Sequence, residues 1–425
     1  MNDNIIFKKF RFNKEDFDVD SLGIIEGEEA IVYTICEKKI ETNCPYCDSS
    51  SNCIHDYNWR KIKVDNGNPI DKEILRIKRI RYECRSCGKT FTRELLGLKK
   101  KSTISDYTLQ CIHSEFFTIQ SFDTIGKRYG LSPAKVIEIF DDFAKFVPRR
   151  QLTKVICIDE KHFEGDTESK YCVVISDFET GEILDVVAER KYEYLADYFR
   201  NIPFSERNRV KYIISDMYDG YEKIQINFFP KSTFIIDHFH VIKLVSEVVR
   251  KIRIQTRENY AFDKPFLRYY MKHNWKMFQL KIDSPFLYED FTSEKYNIRN
   301  KPHIEIVMEC LKLNTIFFET YNIYQELLKY DRYETFTEAL NFVERIARKL
   351  NMTGEKINIA AASSLLKWKI SIANGLVKNK EDLNYSNSKA EGNNGLIQRI
   401  IDCAFGYFNF ARFRKRVLLI KTYSK

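Results

Sequence analysis

From Lys154 onward the chain alternates short apolar runs with polar stops. KVICID, KYCVVIS, EILDVVAE, RVKYIIS and STFIID each hold β-branched residues and break at a polar side chain, the pattern of strands buried in a sheet. Between some of them the spacing predicts helices over Tyr192 to Asn201 and Tyr218 to Phe228. From about His240 to Lys380 the apolar positions recur at helical spacing. HVIKLVSEVVRKI is the clearest case, with Val241, Leu244, Val245, Val248, Val249 and Ile252 on one stripe. A further helix is expected from about Ser386 to Arg399. Strands interleaved with helices, then helices alone, predict an α/β core carrying a large all-α insertion. Upstream, residues to about 100 are rich in strand formers and end in GLKKK, and residues from about 102 to 147 read as helices. The expected sections are residues 1–40, an N-terminal segment; 41–100, a metal-binding β module; 101–150, a helical domain; 151–239, the first part of the core; 240–384, the helical insertion; and 385–425, the rest of the core with a basic tail.

Apolar residues make up 44% of the 425 and aromatics 14%, ample for a sizeable core, which excludes a disordered chain. No run of about 20 apolar residues appears, so no membrane span is expected. The opening MNDNIIFKKFRFNKEDF lacks the apolar stretch of a secretory signal. The net charge is +9 and unevenly placed. Residues 60–101 hold 14 Lys or Arg against 5 Asp or Glu, and residues 399–425 hold seven basic residues against the single acid Asp402. Basic segments flanking a balanced middle point to a polyanionic partner.

Eleven cysteines include two CxxC pairs, Cys44-Pro-Tyr-Cys47 and Cys84-Arg-Ser-Cys87. Each pair offers two thiolates from one tight turn, and four sulfurs in a tetrahedron suit one structural Zn²⁺. Gly88 suits the turn after the second pair. The gap between the pairs fits a zinc-ribbon-like module in which a β-hairpin separates the knuckles, with KEILRIKRIRYEC as its returning strand. Arg76, Lys78 and Arg81 on that strand are candidate contacts to DNA phosphates. Cys53 is read as a bystander and His55 as a surface or hairpin residue. Cys111, Cys157, Cys172, Cys310 and Cys403 lie in apolar contexts and read as small core residues. The scattered thiols indicate a reducing cytoplasm rather than a disulfide scaffold.

Residues SFDTIGKRYGLSPAKVIEIFDDF have the layout of a helix-turn-helix. Ser121 caps a first helix, Gly130 permits the turn, and Ser132 with Pro133 opens a second. The second helix would enter a major groove by its N-terminal end, offering Ser132 and Lys135, although Glu138, Asp141 and Asp142 make it acidic farther on. A purely structural helical hairpin is the alternative.

Two strands end in acids, KVICID at Asp159 and VKYIISD at Asp216. Side chains at strand ends emerge into the crevice of an α/β sheet. With Glu391 from NSKAEGNNGLIQRI, they would form a cage for two Mg²⁺ or Mn²⁺ ions, hard cations that prefer oxygen. Gly392, Asn393 and Asn394 are small and permit close approach of a nucleic-acid backbone. Glu160 is expected on the opposite side of its strand from Asp159, and Asp177, Asp185 and Asp219 read as turn or surface acids. Asp237 in IIDHFHVIK is the strongest rival, and either His238 or His240 beside it could position DNA or a carboxylate. A helix cap and a satisfied helix-start histidine are the alternative. In the basic tail Arg412, Arg414, Lys415 and Arg416 are candidate phosphate contacts, and Tyr407, Phe408, Phe410 and Phe413 read as packing residues.

Taken together, CPYC with RIRYECRSCGKTF, CIDEKHF, ISDMYDGY, IIDHFHVIKL and NSKAEGNNGLIQRIIDCAFGYFNFARFRKRVLL resemble the ISL-three family of insertion-sequence transposases. They occur in the family's order and span nearly the whole chain. The resemblance implies the architecture of other DDE transposases: a zinc-finger module, a helix-turn-helix, then an RNase H-like catalytic core, a mixed five-stranded sheet with flanking helices interrupted by a helical insertion. It puts the family's acids on Asp159, Asp216 and Glu391 and its zinc ligands on Cys44, Cys47, Cys84 and Cys87. The 175 residues from Asp216 to Glu391 leave room for the insertion. Implied partners are double-stranded DNA, as transposon ends and target, and further copies of the chain in a homodimer or larger synapse, in a bacterial cytoplasm and on the nucleoid when bound. A DNA-binding regulator with an inactive core and a repair nuclease are the alternative functions.

Overall fold

The computed structural model describes residues 7, 10–24, 30–68, 72–96, 98, 102–330, 332–378, 388–404 and 407–423. The chain divides into two compact units: Met1–Pro148 with Ile397–Lys425, and Arg149–Leu396. The division sends Ile397–Lys425 to the amino-terminal residues, whereas the sequence had suggested the core. The boundary expected at 384–385 falls outside the described residues.

The first unit is built on the strands β1 (Phe17–Ile24), β2 (Ile31–Glu37), β5 (Cys53–Lys63), β6 (Glu73–Glu83) and β7 (Thr90–Thr92). They run in the order β1-β2-β6-β5, with β7 also on β6. Two very short strands, β3 (Thr42–Asn43) and β4 (Ser50–Ser51), pair around the first cysteine pair. The hairpin expected between the cysteine pairs is β5 and β6, antiparallel from Cys53↔Glu83 to Lys63↔Ile74. Strands β1 and β2 join the same sheet, β2 running parallel to β6, so no boundary separates residues 17–37 from the module. Period-two alternation buries Tyr33, Ile35, Ile62, Leu75 and Ile77 against Phe10, Phe12 and Phe17. The other face leaves Tyr57 and Trp59 about half exposed, with Lys78 4.6 Å from the Tyr57 ring and Arg76 5.3 Å from the Trp59 ring.

Three helices follow: Asp106–Glu115, Phe122–Tyr129 and Pro133–Phe143. Their starts obey local chemistry. Ser105, Ser121 and Ser132 each accept a hydrogen bond from the backbone N–H three residues on, satisfying donors that the first turn leaves without partners. Gly130 ends the second helix at φ +58°, a left-handed cap that a Cβ would strain. Ile112, Phe116, Ile125, Val136 and Phe140 form the apolar centre. Into it comes Arg416 from the Phe410–Tyr423 helix.

The second unit holds a five-stranded sheet in the order β10-β9-β8-β11-β12, from β8 (Val155–His162), β9 (Tyr171–Asp177), β10 (Ile183–Val187), β11 (Tyr212–Ser215) and β12 (Thr233–Ile236). Strands β10, β9 and β8 are mutually antiparallel, and β8, β11 and β12 run parallel. The helices Tyr192–Arg200, Asp219–Phe228 and His238–Asn259 arise at the predicted places. One continuous apolar cluster joins sheet residues such as Ile156, Ile158 and Ile213 to Phe317, Phe342 and Ile346 in the later helices. The expected all-α region is not wholly helical. Asp290–Ser293 pairs with Ile298–Pro302 in a small hairpin, its turn made possible by Asn297 at φ +53°. Among the described residues no helix is long and apolar enough to cross a membrane.

Candidate active site and metal-binding cluster

The two CxxC pairs converge. The sulfurs of Cys44, Cys47, Cys84 and Cys87 all lie within 4.8 Å of one another, the one group among the described residues so placed that it could hold a metal ion. Cys44 Sγ is 3.8 Å from Cys87 Sγ, and Cys47 Sγ is 3.5 Å from Cys84 Sγ. The two turns are built alike. Asp48 N–H donates to Cys44 O and Gly88 N–H to Cys84 O, each at 2.8 Å. Both residues adopt positive φ, +59° and +71°. Gly88 was legible as a turn former, while Asp48 was not, although Asp is one of the few side chains that tolerate this region. Hydrogen bonds from Ser49 hold the Cys47 thiol down at about 6, the thiolate form a metal needs. The Lys89 amide lowers Cys87, but burial and the neighbouring sulfurs outweigh it and push that thiol up to about 11. The four sulfurs can hold one metal ion. Cys53 and His55 stand outside the group.

In the second unit the sheet register sets the acids side by side. Ser215 pairs with Ile158 of β8 and with Ile236 of β12. The next residues along the three parallel strands are therefore Asp159, Asp216 and Asp237, in one row at their carboxyl ends. Strand β8 does not stop at Asp159 as expected. It continues to His162, because β9 still pairs it through His162↔Tyr171 after β11 has ended. Asp159 is thus mid-strand on one side and terminal on the other. Its Oδ2 accepts a 2.7 Å hydrogen bond from Asn394 Nδ2. Asn394 lies on the Ser388–Cys403 helix, which also carries Glu391. The side chain of Glu391 lies outside the described residues.

Asp216 is the electrostatic centre of the row. Burial, then the like charges of Glu160 and Asp159, push its carboxyl up to about 7. Glu160 was expected to address the other side of β8, and its partners do differ from those of Asp159. Its Oε1 accepts from Tyr221 Oη at 3.1 Å and its Oε2 from Arg190 Nη1 at 2.8 Å. Neither Tyr221 nor Arg190 was singled out in the sequence; the aromatic run after ISD was the only hint. Asp159, Glu160 and Asp216 are close enough for their charges to interact, yet their oxygens do not form a group of the kind that the four cysteines make.

The remaining candidates separate. Asp237 is fully buried and caps the His238–Asn259 helix by accepting from Phe239 N–H. His238 turns into the later helices, its ring centroid 3.7 Å from that of Tyr330, in a small cavity with Val241, Leu327 and Phe342. Burial lowers it to about 4, so it stays neutral. His240 instead feels the charge of Asp159: burial lowers it, and the Asp159 charge offsets this only in part. Asp177 makes a turn with Thr180, and Asp219 pairs with Lys367 at the surface. Asp185 is not a surface acid; it is buried in β10 and accepts from Tyr198 Oη.

Two of the tail residues are engaged within the fold. Arg416 is fully buried and donates to the carbonyls of Phe116, Thr118 and Gln120. Arg412 is clamped in a two-pronged pair on Asp141, at 2.7 Å for the shortest contact. A basic sequence run cannot distinguish such anchors from free cations. Arg414 donates to Val147 O, and Lys415 is half-buried.

Residues 156–417 match the sequence profile of the ISL3 family of DDE transposases, described as a transposase. The transposase for insertion sequence element IS1001 from Bordetella parapertussis is 22% identical over 239 residues, 55% of this chain and 57% of that protein. The chain thus spans somewhat over half the length of this relative. The match encloses the whole row of strand-end acids and the Ser388–Cys403 helix, and on it the chain belongs to the ISL3 family of transposases.

Proposed function

We propose that this chain binds the terminal inverted repeats of a bacterial insertion sequence, then cleaves them and transfers the strands, using Asp159, Asp216 and Glu391 as ligands for two divalent ions. The observation that carries this is the hydrogen bond from Asn394 to Asp159. Glu391 precedes Asn394 by three positions in one helix, so the two share a face, one turn apart. The helix that carries Glu391 is thereby tied to the row in which the register has already made the two aspartates neighbours.

The donor set fits Mg²⁺ or Mn²⁺: hard oxygens in a partly buried, net negative site where Asp216 resists ionising on its own. Ions bound there would supply an activated water or 3′-hydroxyl and neutralise the leaving oxygen. The chain's part is to orient. Asn394 fixes one oxygen of Asp159, and the Glu160 N–H donates to the other at 2.8 Å, leaving the carboxylate little freedom to rotate. His240 stands beside Asp159 as a positioning group.

The strand order, three antiparallel strands followed by two parallel ones, supports an RNase H-like core. The four sulfurs fit Zn²⁺, which would lock the β5–β6 hairpin. The Phe122–Tyr129 and Pro133–Phe143 helices are proposed as a helix-turn-helix. In it Ser132 Oγ is engaged as a cap, and Lys135 is held by Glu138 at 2.7 Å in an exposed pair that a phosphate could replace. Arg76, Lys78, Arg81, Arg414 and Lys415 complete the proposed DNA contacts. Two ends must be held at once, so a dimer or larger assembly follows, acting in a bacterial cytoplasm.

The test is purified protein with end-containing DNA and Mg²⁺, beside Asp216→Asn. End-specific nicking or joining that the variant loses while it still binds supports the proposal. Binding without cutting by the intact protein indicates a regulator, and cutting that ignores the end sequence indicates a nuclease.

A further inference from the structure

Arg190 lies just beyond β10, and its setting differs from that of an ordinary surface arginine. Its guanidinium carbon sits 5.2 Å from the Tyr171 ring centroid and 5.6 Å from that of Tyr218. Glu160 Oε2 takes one of its N–H groups at 2.8 Å. Glu160 is in turn fixed from its other oxygen by Tyr221 Oη at 3.1 Å, and Tyr221 is fully buried. Two rings and one anchored carboxylate therefore hold the guanidinium in a single orientation. The pair is unequal in exposure: the Glu160 side chain is 15% exposed and that of Arg190 42%. The anchor is inside and the cation looks out.

The location gives the arrangement its meaning. Glu160 follows Asp159 directly in β8, and Tyr218 and Tyr221 follow Asp216 closely in sequence. The Arg190 charge acts directly on Asp216. A guanidinium carries five N–H donors in a planar fork, and among the described residues Glu160 is its one hydrogen-bond partner. The donors left over belong to a partly exposed side chain beside the acids to which the proposed function brings a DNA phosphate. An exposed ion pair of this kind adds little stability by itself. A pre-oriented fork matches a phosphate, whose two nonbridging oxygens accept in parallel.

We propose that Arg190 binds the nonbridging oxygens of the DNA phosphate presented to Asp159 and Asp216, and that Glu160 is the positioning residue that holds it there. This rests on the DNA-cleaving function proposed above for the same site.

The experiment measures binding of the full chain to end-containing duplex by fluorescence anisotropy, with Ca²⁺ in place of Mg²⁺ so that the DNA stays whole. A series of duplexes carries one uncharged methylphosphonate each, stepped along the cleaved strand. Arg190→Ala is expected to weaken binding about tenfold and to lower the slope of log Kd against log salt by about one. That loss should vanish on the duplex whose methylphosphonate replaces the phosphate at the cleaved bond, since the variant then has nothing left to lose. Arg190→Lys should recover part of the affinity, because the charge remains while the fork is gone. Glu160→Gln keeps the bond to Tyr221 and should lose affinity at the same phosphate, with the double variant no worse than Arg190→Ala.

Equal losses on every duplex, or no loss at all, overturn the assignment of Arg190. A Glu160→Gln protein that no longer binds Mn²⁺, seen by electron paramagnetic resonance titration, overturns the positioning role and makes Glu160 a metal ligand. Intact protein that fails to nick end DNA in Mg²⁺ sinks the parent function instead, and the methylphosphonate series still decides whether Arg190 holds one particular phosphate, because a loss confined to a single duplex can be seen without cutting.

Discussion

Replacing Arg416 by methionine keeps the length of the side chain and removes its charge and its donors. The native guanidinium donates to Phe116 O at 2.6 Å, Thr118 O at 3.0 Å and Gln120 O at 2.8 Å, and stacks 5.4 Å from the Phe122 ring. Phe116 caps the end of the Asp106–Glu115 helix, and the other two carbonyls belong to the turn leading to the next helix. Carbonyls at a helix end lack intrahelical partners and carry the negative pole of its dipole, so a buried cation suits them. Hydrogen bonds from a charged donor contribute about 1.5–3 kcal/mol each, and orphaned buried carbonyls add a desolvation cost. Against this, burying the methionine stem recovers about 1–2 kcal/mol, and the turn can relax to admit water. A net loss of about 2–4 kcal/mol is expected for local opening. At about 1.4 kcal/mol per tenfold, that is roughly 30- to 700-fold faster hydrogen exchange. Exchange followed by mass spectrometry on the full chain should show it in peptides from 105–145 and 410–420, with the second unit unchanged. Arg412→Ala, which removes a partly exposed pair, should cost no more than about 1 kcal/mol. Unchanged exchange in Arg416→Met, together with a salt slope for DNA binding reduced by about one, would refute the anchor and restore the residue as a phosphate contact.

Further outcomes follow from the two sites. Asp216 is raised in the folded state above its unfolded value, so the fold binds the extra proton and loses stability as pH rises from about 4 to about 7. Asp216→Asn should therefore stabilise the metal-free protein by about 1–2 kcal/mol above pH 7, discounted for partial exposure, and by almost nothing near pH 4; equal melting shifts at both pH values would remove this cause. Cys84→Ser should lower bound zinc and weaken end binding, and unchanged zinc in elemental analysis would dismiss the four-sulfur site. Neutralising Arg76 and Lys78 together should reduce the salt slope of DNA binding by about two; an unaltered slope would make them ring-stacking residues of the sheet face only.

The parts of this molecule written locally were legible in its sequence. The helix caps at Ser121 and Ser132, the left-handed Gly130 and the hairpin between the cysteine pairs each depend on neighbours a few residues away. Strand ends at Asp159 and Asp216 could be read because apolar runs stop there, although the stop after Asp159 marks the end of only one of two pairings. What escaped is what depends on distant partners. Nothing near Arg416 shows that it ends at Phe116, some three hundred residues earlier. Glu160 looked like the silent neighbour of Asp159 because alternation along a strand says where a side chain starts, not which residues on following helices meet it. Asn394, read as merely small, is the residue that ties its helix to Asp159.

Three acids remote in sequence are proposed to grip one pair of ions. Crystals of the full chain soaked in Mn²⁺ and measured at the manganese absorption edge test this most directly. The expected map shows anomalous peaks within roughly 2.0–2.3 Å of carboxylate oxygens from Asp159, Asp216 and Glu391 together. A peak held by Asp159, Asp216 and Glu160, with Glu391 turned away, or no peak at the strand ends, would contradict it.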